Sequence, residues 1–450
     1  MNQIRLIPAE NLPIEEVFSM ENLVKAWKQV RRNGGAAGID GIKARDLPSC
    51  PGKYWEELRE EICQRRYVPI PARRVDIPKP DGTKRGLNIP TARDRVVQAC
   101  LASYLDYMKD FDMSNSSYGF RKQRRCEQAI IRGLELMNDG YDWIVDIDLR
   151  KFFDTVDQDR LIRLADNTFH NKDLTALTRK IIRGGVMIDG KVNTTSTGIP
   201  QGGPLSPVLA NLYLDQADKE LEKRGLNFTR YADDLLIYVR SKAAADRVMK
   251  SFSRFLVKKL KLIVNTDKSK VARPDEIKYL GFGFKRGKDG WKATPHEKSW
   301  IRLNDKIMDL TKRNWSIDLK TRIEKINQVI RGWCNYFESG TGISAKSQKM
   351  DKKIRRRLRM IIWKQWKRIK KREWGLIKLG CPADKAHSYA CARQGYMRCS
   401  VTFLNRYIKN IHLKSKGLQS MEEYFRQTSE RFYENNTVRT AQRRTAHWVV

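Results

Sequence analysis

The sequence is poor in the features that mark a secreted, zinc-bound or membrane-inserted protein. Its eight cysteines (50, 63, 100, 126, 334, 381, 391 and 399) form no Cys-X-X-Cys pair and no zinc spacing. That scattering points to reduced thiols in the cytoplasm. The five histidines (170, 296, 387, 412 and 447) cluster nowhere. No apolar run approaches the roughly 20 residues that cross a bilayer, and the opening MNQIRLIPAENLPIEE has no apolar core of signal-peptide length. No membrane-inserted segment is therefore expected, and a membrane is not the partner of choice. Acid is the scarce charge, with 52 Asp+Glu against 89 Lys+Arg and a net of +37. Such an excess repels itself in a compact fold, so a polyanionic partner is the economical explanation. Nucleic acid leads and an anionic membrane surface is second.

The chain has 450 residues, 40% of them hydrophobic, enough for two to four domains. Its positive charge is concentrated: residues 301–400 hold 26 Lys+Arg and 8 Asp+Glu, so +18 of the +37. The clusters are KKIRRRLR (352–359), KQWKRIKKR (364–372) and RTAQRR (439–444), interleaved with Trp363, Trp366 and Trp374. For one tryptophan, a core position is the plainer reading. For the segment as a whole, phosphate grip and base stacking are favoured, with Arg355, Arg356, Arg359, Lys364, Trp366 and Lys367 as candidate contacts.

Periodicity and caps predict helices over 19–32, 51–66, 93–109, 126–138 and 242–260. Prolines extend 69–80, and Asp81-Gly82 predicts a two-residue hairpin between VDIPKP and TKRGLNIP. A second Asp-Gly hairpin lies in GGVMIDGKVNTT (184–195). GIPQGGPLSPVLANLYLDQADKELEKRG (198–225) is a loop entering a long helix, LIVN and KYLGFGFK are short strands, and from about 300 the chain is helical. The middle is thus α+β with a largely antiparallel sheet, and the last third all-α and basic. In DWIVDIDL (142–149) alternation puts Asp146 and Asp148 on one strand face. RYADDLLIYV (230–239) then places Asp233 and Asp234 against an apolar strand. A carboxylate pair costs several kcal/mol to desolvate without compensation. It is either a solvated hairpin tip or a metal holder.

These segments have company. IPKPDGTKRGLNIPTARDRVVQ (77–98), SYGFRKQRR (117–125), DIDLRKFFDTVDQD (146–159), GIPQGGPLSPVLANLYL (198–214), RYADD (230–234), KSKV (268–271) and KYLGFGF (278–284) resemble, in order, the blocks of reverse transcriptases. The likeness is nearest to those encoded by group II introns, and RGWCNYF (331–337) resembles their maturase, or thumb, region. The resemblance implies a right-hand polymerase with four regions: an N-terminal extension (1–70), fingers and palm (71–290), a thumb (291–378) and a small basic, DNA-binding C-terminal part (379–450). Without a paired-cysteine motif or clustered histidines, the zinc-associated His-Asn-His endonuclease of many family members is not expected.

Carried over by position, Asp148 and Asp233 bind two Mg²⁺ ions with the Leu149 carbonyl, Asp234 supports them, and Mn²⁺ is an alternative ion. Asp148 is preferred to its rival Asp146 because only its spacing to the aromatic Phe153 fits. Phe153 lies under the incoming sugar and favours deoxynucleotides, whereas Phe152 reads as core. Lys79 and Arg85, rather than Arg93 or Arg95, meet the triphosphate, and Gln201 packs beside nucleotide and template. The Gly202-Gly203 pair serves a close approach to substrate or a structural turn. Ala232 leaves room for the primer end, Lys268 or Lys270 protonates pyrophosphate, and Tyr279, Leu280 and Gly281 form a primer grip. The implied partners are intron RNA, as template and ribozyme, together with a DNA target or primer and deoxynucleoside triphosphates. A homodimer stays open. The implied activities are RNA-directed DNA synthesis and maturase support of splicing and retrohoming. Two rivals remain: a splicing-only RNA-binding maturase, and a free-standing relative serving host defence or DNA repair.

Overall fold

A computed structural model describes residues 12–446 apart from 79–81 and 83; of Arg85 and residues 435–446 it describes the backbone alone. Contacts divide the chain into two units, Met1–Arg273 and Pro274–Val450.

The first unit is built on two sheets. In one, β1 (Ala72–Pro78) pairs antiparallel with β2 (Lys84–Ile89) and briefly parallel with β4 (Val186–Ile188), which turns back into β5 (Lys191–Asn193). Asp189 and Gly190 carry φ of 48° and 79°, the left-handed pair that a tight Asp-Gly hairpin requires. The first Asp-Gly hairpin is corrected. Pro78 lies opposite Lys84, so the connection is longer than two residues, and most of it falls outside the described residues.

The other sheet has the order β6 (Asn227–Tyr231), β7 (Asp234–Val239), β3 (Trp143–Ile147), β8 (Lys270–Ala272), all antiparallel. LIVN is not a strand; it contributes only an isolated bridge from Val264 to Leu149. One face of this sheet carries Val145, Ile147, Leu235 and Ile237 into the main core with helices Ser206–Lys223 and Lys242–Leu260. On the other face Ile144 pairs with Tyr238 under helix Cys126–Asn138. Gly133 permits that close approach, since a Cβ there would sit 2.6 Å from the Tyr238 hydroxyl. Asp146, next along this face, is only half-buried. Helix ends follow the expected chemistry: Ser19, Thr91 and Ser241 accept backbone N–H bonds at the starts of Met20–Asn33, Ala92–Asp110 and Lys242–Leu260.

The second unit opens with β9 (Lys278–Tyr279), β10 (Phe282–Gly287) and β11 (Gly290–Pro295), then is helical from Glu297. Two arginines lie inside it. Arg322, 1% exposed, donates to the carbonyls of Leu310, Lys312 and Trp315. Arg359, 4% exposed, donates to the Ile408 carbonyl and the Asn410 side chain. Among the described residues no helix is long and apolar enough to cross a membrane.

Candidate active site

The β6–β7 hairpin reverses through two residues, Ala232 and Asp233, between the paired Tyr231 and Asp234. Ala232 has φ 58°, a left-handed conformation that hairpins usually give to glycine or asparagine. An alanine there stores about 1–2 kcal/mol, which the surroundings must hold in place. Gly119 presses on it, for a Cβ there would fall 2.2 Å from the Ala232 nitrogen.

Register brings the acids together. Asp146 lies opposite Leu236 and Ile147 opposite Leu235, where the pairing ends; Asp148 directly follows Ile147 and Asp234 directly precedes Leu235. Asp146, Asp148 and Asp234 therefore share a face, and Lys270 joins them from β8 opposite Asp146. Burial and then Asp234 push the Asp146 carboxyl up to about 6 against the pull of Lys270, with Asp148 adding to the push. Asp148 is fixed from the segment before β8. Its N–H donates to Ser269 Oγ at 3.0 Å, its carbonyl accepts Asn265 N–H at 2.8 Å, and Asn265 Nδ2 reaches its carboxylate at 3.3 Å. Lys268 Nζ stands 4.0 Å from Asp148 Oδ2, with the two side chains 66% and 36% exposed. So open an ion pair contributes little and does not neutralise the carboxylate. Among the described residues no three His, Cys, Asp or Glu side chains form a ready-made metal set. The acids are concentrated on one face rather than closed into a cage.

Beside them, Phe153 and Phe152 meet edge to face with centroids 5.3 Å apart. Phe152 is buried against Tyr213, as its core reading expects, while Phe153 is half-buried. The loop bearing Gln201 is latched beneath Phe153 by Ile199 N–H to the Phe153 carbonyl at 2.6 Å and Gly198 N–H to Val156 at 2.7 Å. A cavity of about 200 Å³ lies there, lined among others by Phe153, Gly198, Pro200, Asn88 and Arg74. The Gln201 carbonyl accepts Asn88 N–H at 2.6 Å. The glycines after it have a packing cause. A Cβ at Gly202 would lie 2.6 Å from the Asn88 carbonyl oxygen, and one at Gly203 1.9 Å from Gln98 Oε1. Close approach to protein is visible at both positions, to backbone at Gly202 and to the end of the Gln98 side chain at Gly203. Lys79 lies outside the described residues, as does the side chain of Arg85. Arg93 pairs with Glu61 at 2.5 Å, and Arg95 bonds the Gly34 and Ala36 carbonyls at 3.0 Å.

In the second unit, Leu280 and Gly281 form a two-residue turn with φ of 49° and 82°. Tyr336 Oη donates to the Leu280 carbonyl at 3.0 Å and Ser299 Oγ to that of Gly281 at 2.9 Å. A cavity of about 720 Å³ opens beside this turn, with Lys278, Arg302, Lys306 and Lys325 among its cations and Trp333 and Tyr336 among its rings. These cations went unnoticed in the sequence; the four-residue spacing of Arg302 and Lys306 was their only signal.

The basic-cluster candidates divide. Arg359 is corrected to an interior residue, because its guanidinium serves the Ile408 and Asn410 bonds. Trp366 is half-buried with its ring over Gly375, where a Cβ would come within 2.8 Å. Lys364 and Lys367 are exposed, Arg355 and Arg356 half-buried. Of the interleaved tryptophans, Trp363 is 2% and Trp374 61% exposed.

Comparison with known proteins bears on this arrangement. A model of the reverse transcriptase (RNA-dependent DNA polymerase) family matches residues 77–284, and one of the group II intron maturase-specific domain matches 301–380. Protein YkfC of Escherichia coli K12 is 30% identical over 272 residues, 52% of this chain and 71% of that protein. The COX1/OXI3 intron 2 protein of Saccharomyces cerevisiae is 26% identical over 76% of this chain and 45% of its own length. Group II intron-encoded protein LtrA of Lactococcus lactis is 31% identical over 46% of this chain and 34% of its own. The chain thus spans less than half of the yeast and lactococcal relatives.

Proposed function

The chain belongs to the reverse transcriptases, a family of RNA-dependent DNA polymerases, with a group II intron maturase-specific domain following the polymerase region; on that premise we propose that it copies RNA into DNA and supports the splicing and retrohoming of an intron RNA. The observation that carries the reading is the acid-rich face of an antiparallel sheet beside a strained Ala232–Asp233 turn.

The donor set on that face is all oxygen and carries like charge at Asp146 that Lys270 only partly offsets, which suits a hard divalent cation such as Mg²⁺, with Mn²⁺ as substitute. Asp148, Asp233 and the Leu149 carbonyl would hold two such ions, with Asp234 in support. When bound, they supply charge stabilisation to the attacking and departing oxygens of phosphoryl transfer. Phe153 bears on the sugar face and disfavours a 2′-hydroxyl, and the loop around Gln201 flanks the nucleotide. Lys79 and Arg85 would bring positive charge to the triphosphate. Lys268, already near Asp148, is a better placed proton donor to pyrophosphate than Lys270, which is engaged beside Asp146. Tyr279, Leu280 and Gly281 would steady the primer strand.

The region assignment 1–70, 71–290, 291–378 and 379–450 belongs to this proposal, as do fingers, palm and thumb. The basic rim around Trp333 and Tyr336 supports contact with a nucleic-acid backbone. The exposed Lys364 and Lys367 extend that role to an intron RNA, with the half-buried Arg355 and Arg356 beside them.

Primer extension on poly(rA)/oligo(dT) tests the polymerase. The wild type should extend, and Asp233→Asn should lose about 100-fold or more while keeping RNA affinity. A wild type inactive with both Mg²⁺ and Mn²⁺, or a fully active Asp233→Asn, refutes the reading. Equal splicing of the intron RNA with and without protein at physiological Mg²⁺ refutes the maturase role.

A further inference from the structure

Arg230 begins the RYADD motif, yet its side chain is not at the surface. It is 1% exposed and its partner Asp218 is fully buried. Arg230 Nε donates to Asp218 Oδ1 at 2.7 Å and Oδ2 at 3.0 Å, and Nη2 donates to Oδ2 at 2.5 Å and to Ser117 Oγ at 2.7 Å. Nη1 donates to Asn211 Oδ1 and to the Ala232 carbonyl, both at 3.0 Å. The backbone is tied as well: Arg230 N–H donates to the Ser116 carbonyl and Tyr118 N–H to that of Arg230, each at 2.8 Å. Asn211 Nδ2 in turn holds the Gly119 carbonyl at 2.8 Å. One guanidinium therefore joins helix Ser206–Lys223, the segment 114–120 and the left-handed alanine of the turn.

We propose that Arg230, paired with Asp218, is a positioning residue that aims the Ala232–Asp233 turn, and hence the carboxylates of Asp233 and Asp234, at the reacting phosphate; this rests on the polymerase reading above. A buried ion pair contributes little net stability compared with an apolar pair of the same volume. What it adds is direction. The guanidinium is planar and its donors are fixed in a fork, so six acceptor contacts on three segments admit one orientation of the Ala232 carbonyl. Gly119 closes the other side of the turn. Without both, the alanine can relax to negative φ, rotating the peptide before Asp233. A shift of about 1 Å in a reacting group costs roughly 100-fold in rate.

The test is single-turnover primer extension by the full-length chain, with thermal unfolding beside it. The double variant Arg230→Met/Asp218→Leu removes the fork while filling its volume. It should unfold within a few degrees of wild type and lose about 100-fold in the rate at saturating nucleotide. Nucleotide and template–primer dissociation constants should stay within about two-fold, and the Mg²⁺ giving half-maximal rate should rise several-fold. A folded double variant within about three-fold of the wild-type rate overturns the proposal. Should it not fold, Ser117→Ala removes one bond from the fork and Gly119→Ala presses on the turn. Each should lower the rate about ten-fold with the same sparing of binding, and wild-type rates in both overturn the proposal equally. A rate loss that only follows the melting temperature does so too. An inactive wild type would sink the polymerase reading and this role with it, whereas an active wild type with an unaffected variant sinks the positioning role alone.

Discussion

Replacing Asp146 by asparagine tests the charge balance of the carboxylate face with no nucleic acid present. The groups facing it are Asp234, Asp148 and Lys270, and burial, then Asp234, pushes the folded carboxyl up to about 6 from its ordinary value of 3.8. The folded protein therefore keeps a proton that the unfolded chain releases between about pH 4 and 6. Stability is fully present below that window, falls as pH rises through it, and carries the whole penalty above it. A difference of about two pH units corresponds to roughly 3 kcal/mol at 1.36 kcal/mol each. Residual solvent exposure reduces this to about 1–2 kcal/mol. Asparagine has no charge to bury, so in EDTA at pH 7.5 the variant should melt about 2–6 °C above wild type. The gap should close near pH 4, and Mg²⁺ should narrow it at pH 7.5 by stabilising wild type more. Circular-dichroism melts from pH 4 to 8 measure this. No gap at neutral pH, or one that widens toward acid, refutes the electrostatic account.

Three further outcomes are expected. In primer extension, Asp148→Asn should abolish synthesis while Asp146→Asn keeps most of it; the reverse result would make Asp146 the metal ligand. Phe153→Val should raise ribonucleotide relative to deoxynucleotide incorporation by about 10–100-fold, read as the ratio of kcat/KM values, and an unchanged ratio removes Phe153 from the sugar contact. Gly202 has φ 126° with the Asn88 carbonyl oxygen 2.6 Å from any added Cβ, whereas nothing lies within 4 Å at Gly332 inside helix Leu319–Tyr336. By urea unfolding, Gly202→Ala should destabilise by about 2–4 kcal/mol and Gly332→Ala should stabilise by about 0.5–1 kcal/mol.

Local signals were readable where they arise locally. Capping and apolar spacing place Lys242–Leu260 and Cys126–Asn138 at their observed bounds, and strand alternation puts Asp146 and Asp148 on one face. The parallel β1–β4 pairing was not readable, because it joins segments more than 110 residues apart through two register pairs. The LIVN segment has strand composition but forms only an isolated bridge at Val264–Leu149, flanked by single bonds to Asp148 and Arg150, since β8 takes the place beside β3. Glycines 202 and 203 were legible as a requirement for small residues, but their cause, the backbone of Asn88 and the side chain of Gln98, lies in distant elements. Arg230 and Arg359 look in sequence like any surface cation. Burial of a guanidinium depends on acceptors elsewhere in the chain, at Asp218 in one case and Ile408 in the other.

The interior arginines of the second unit have an electrical consequence. Arg322 and Arg359 are bonded to carbonyls and an amide, not to carboxylates, so among the described residues neither positive charge has a formal negative partner. Dissolved anions, which cluster around lysines at the surface, have no access to these two sites. Field lines from them leave through a low-permittivity interior and emerge with the local counterion cloud only outside. Part of this unit's pull on a polyanion is thereby built into its core, beyond the reach of surface charge reversal.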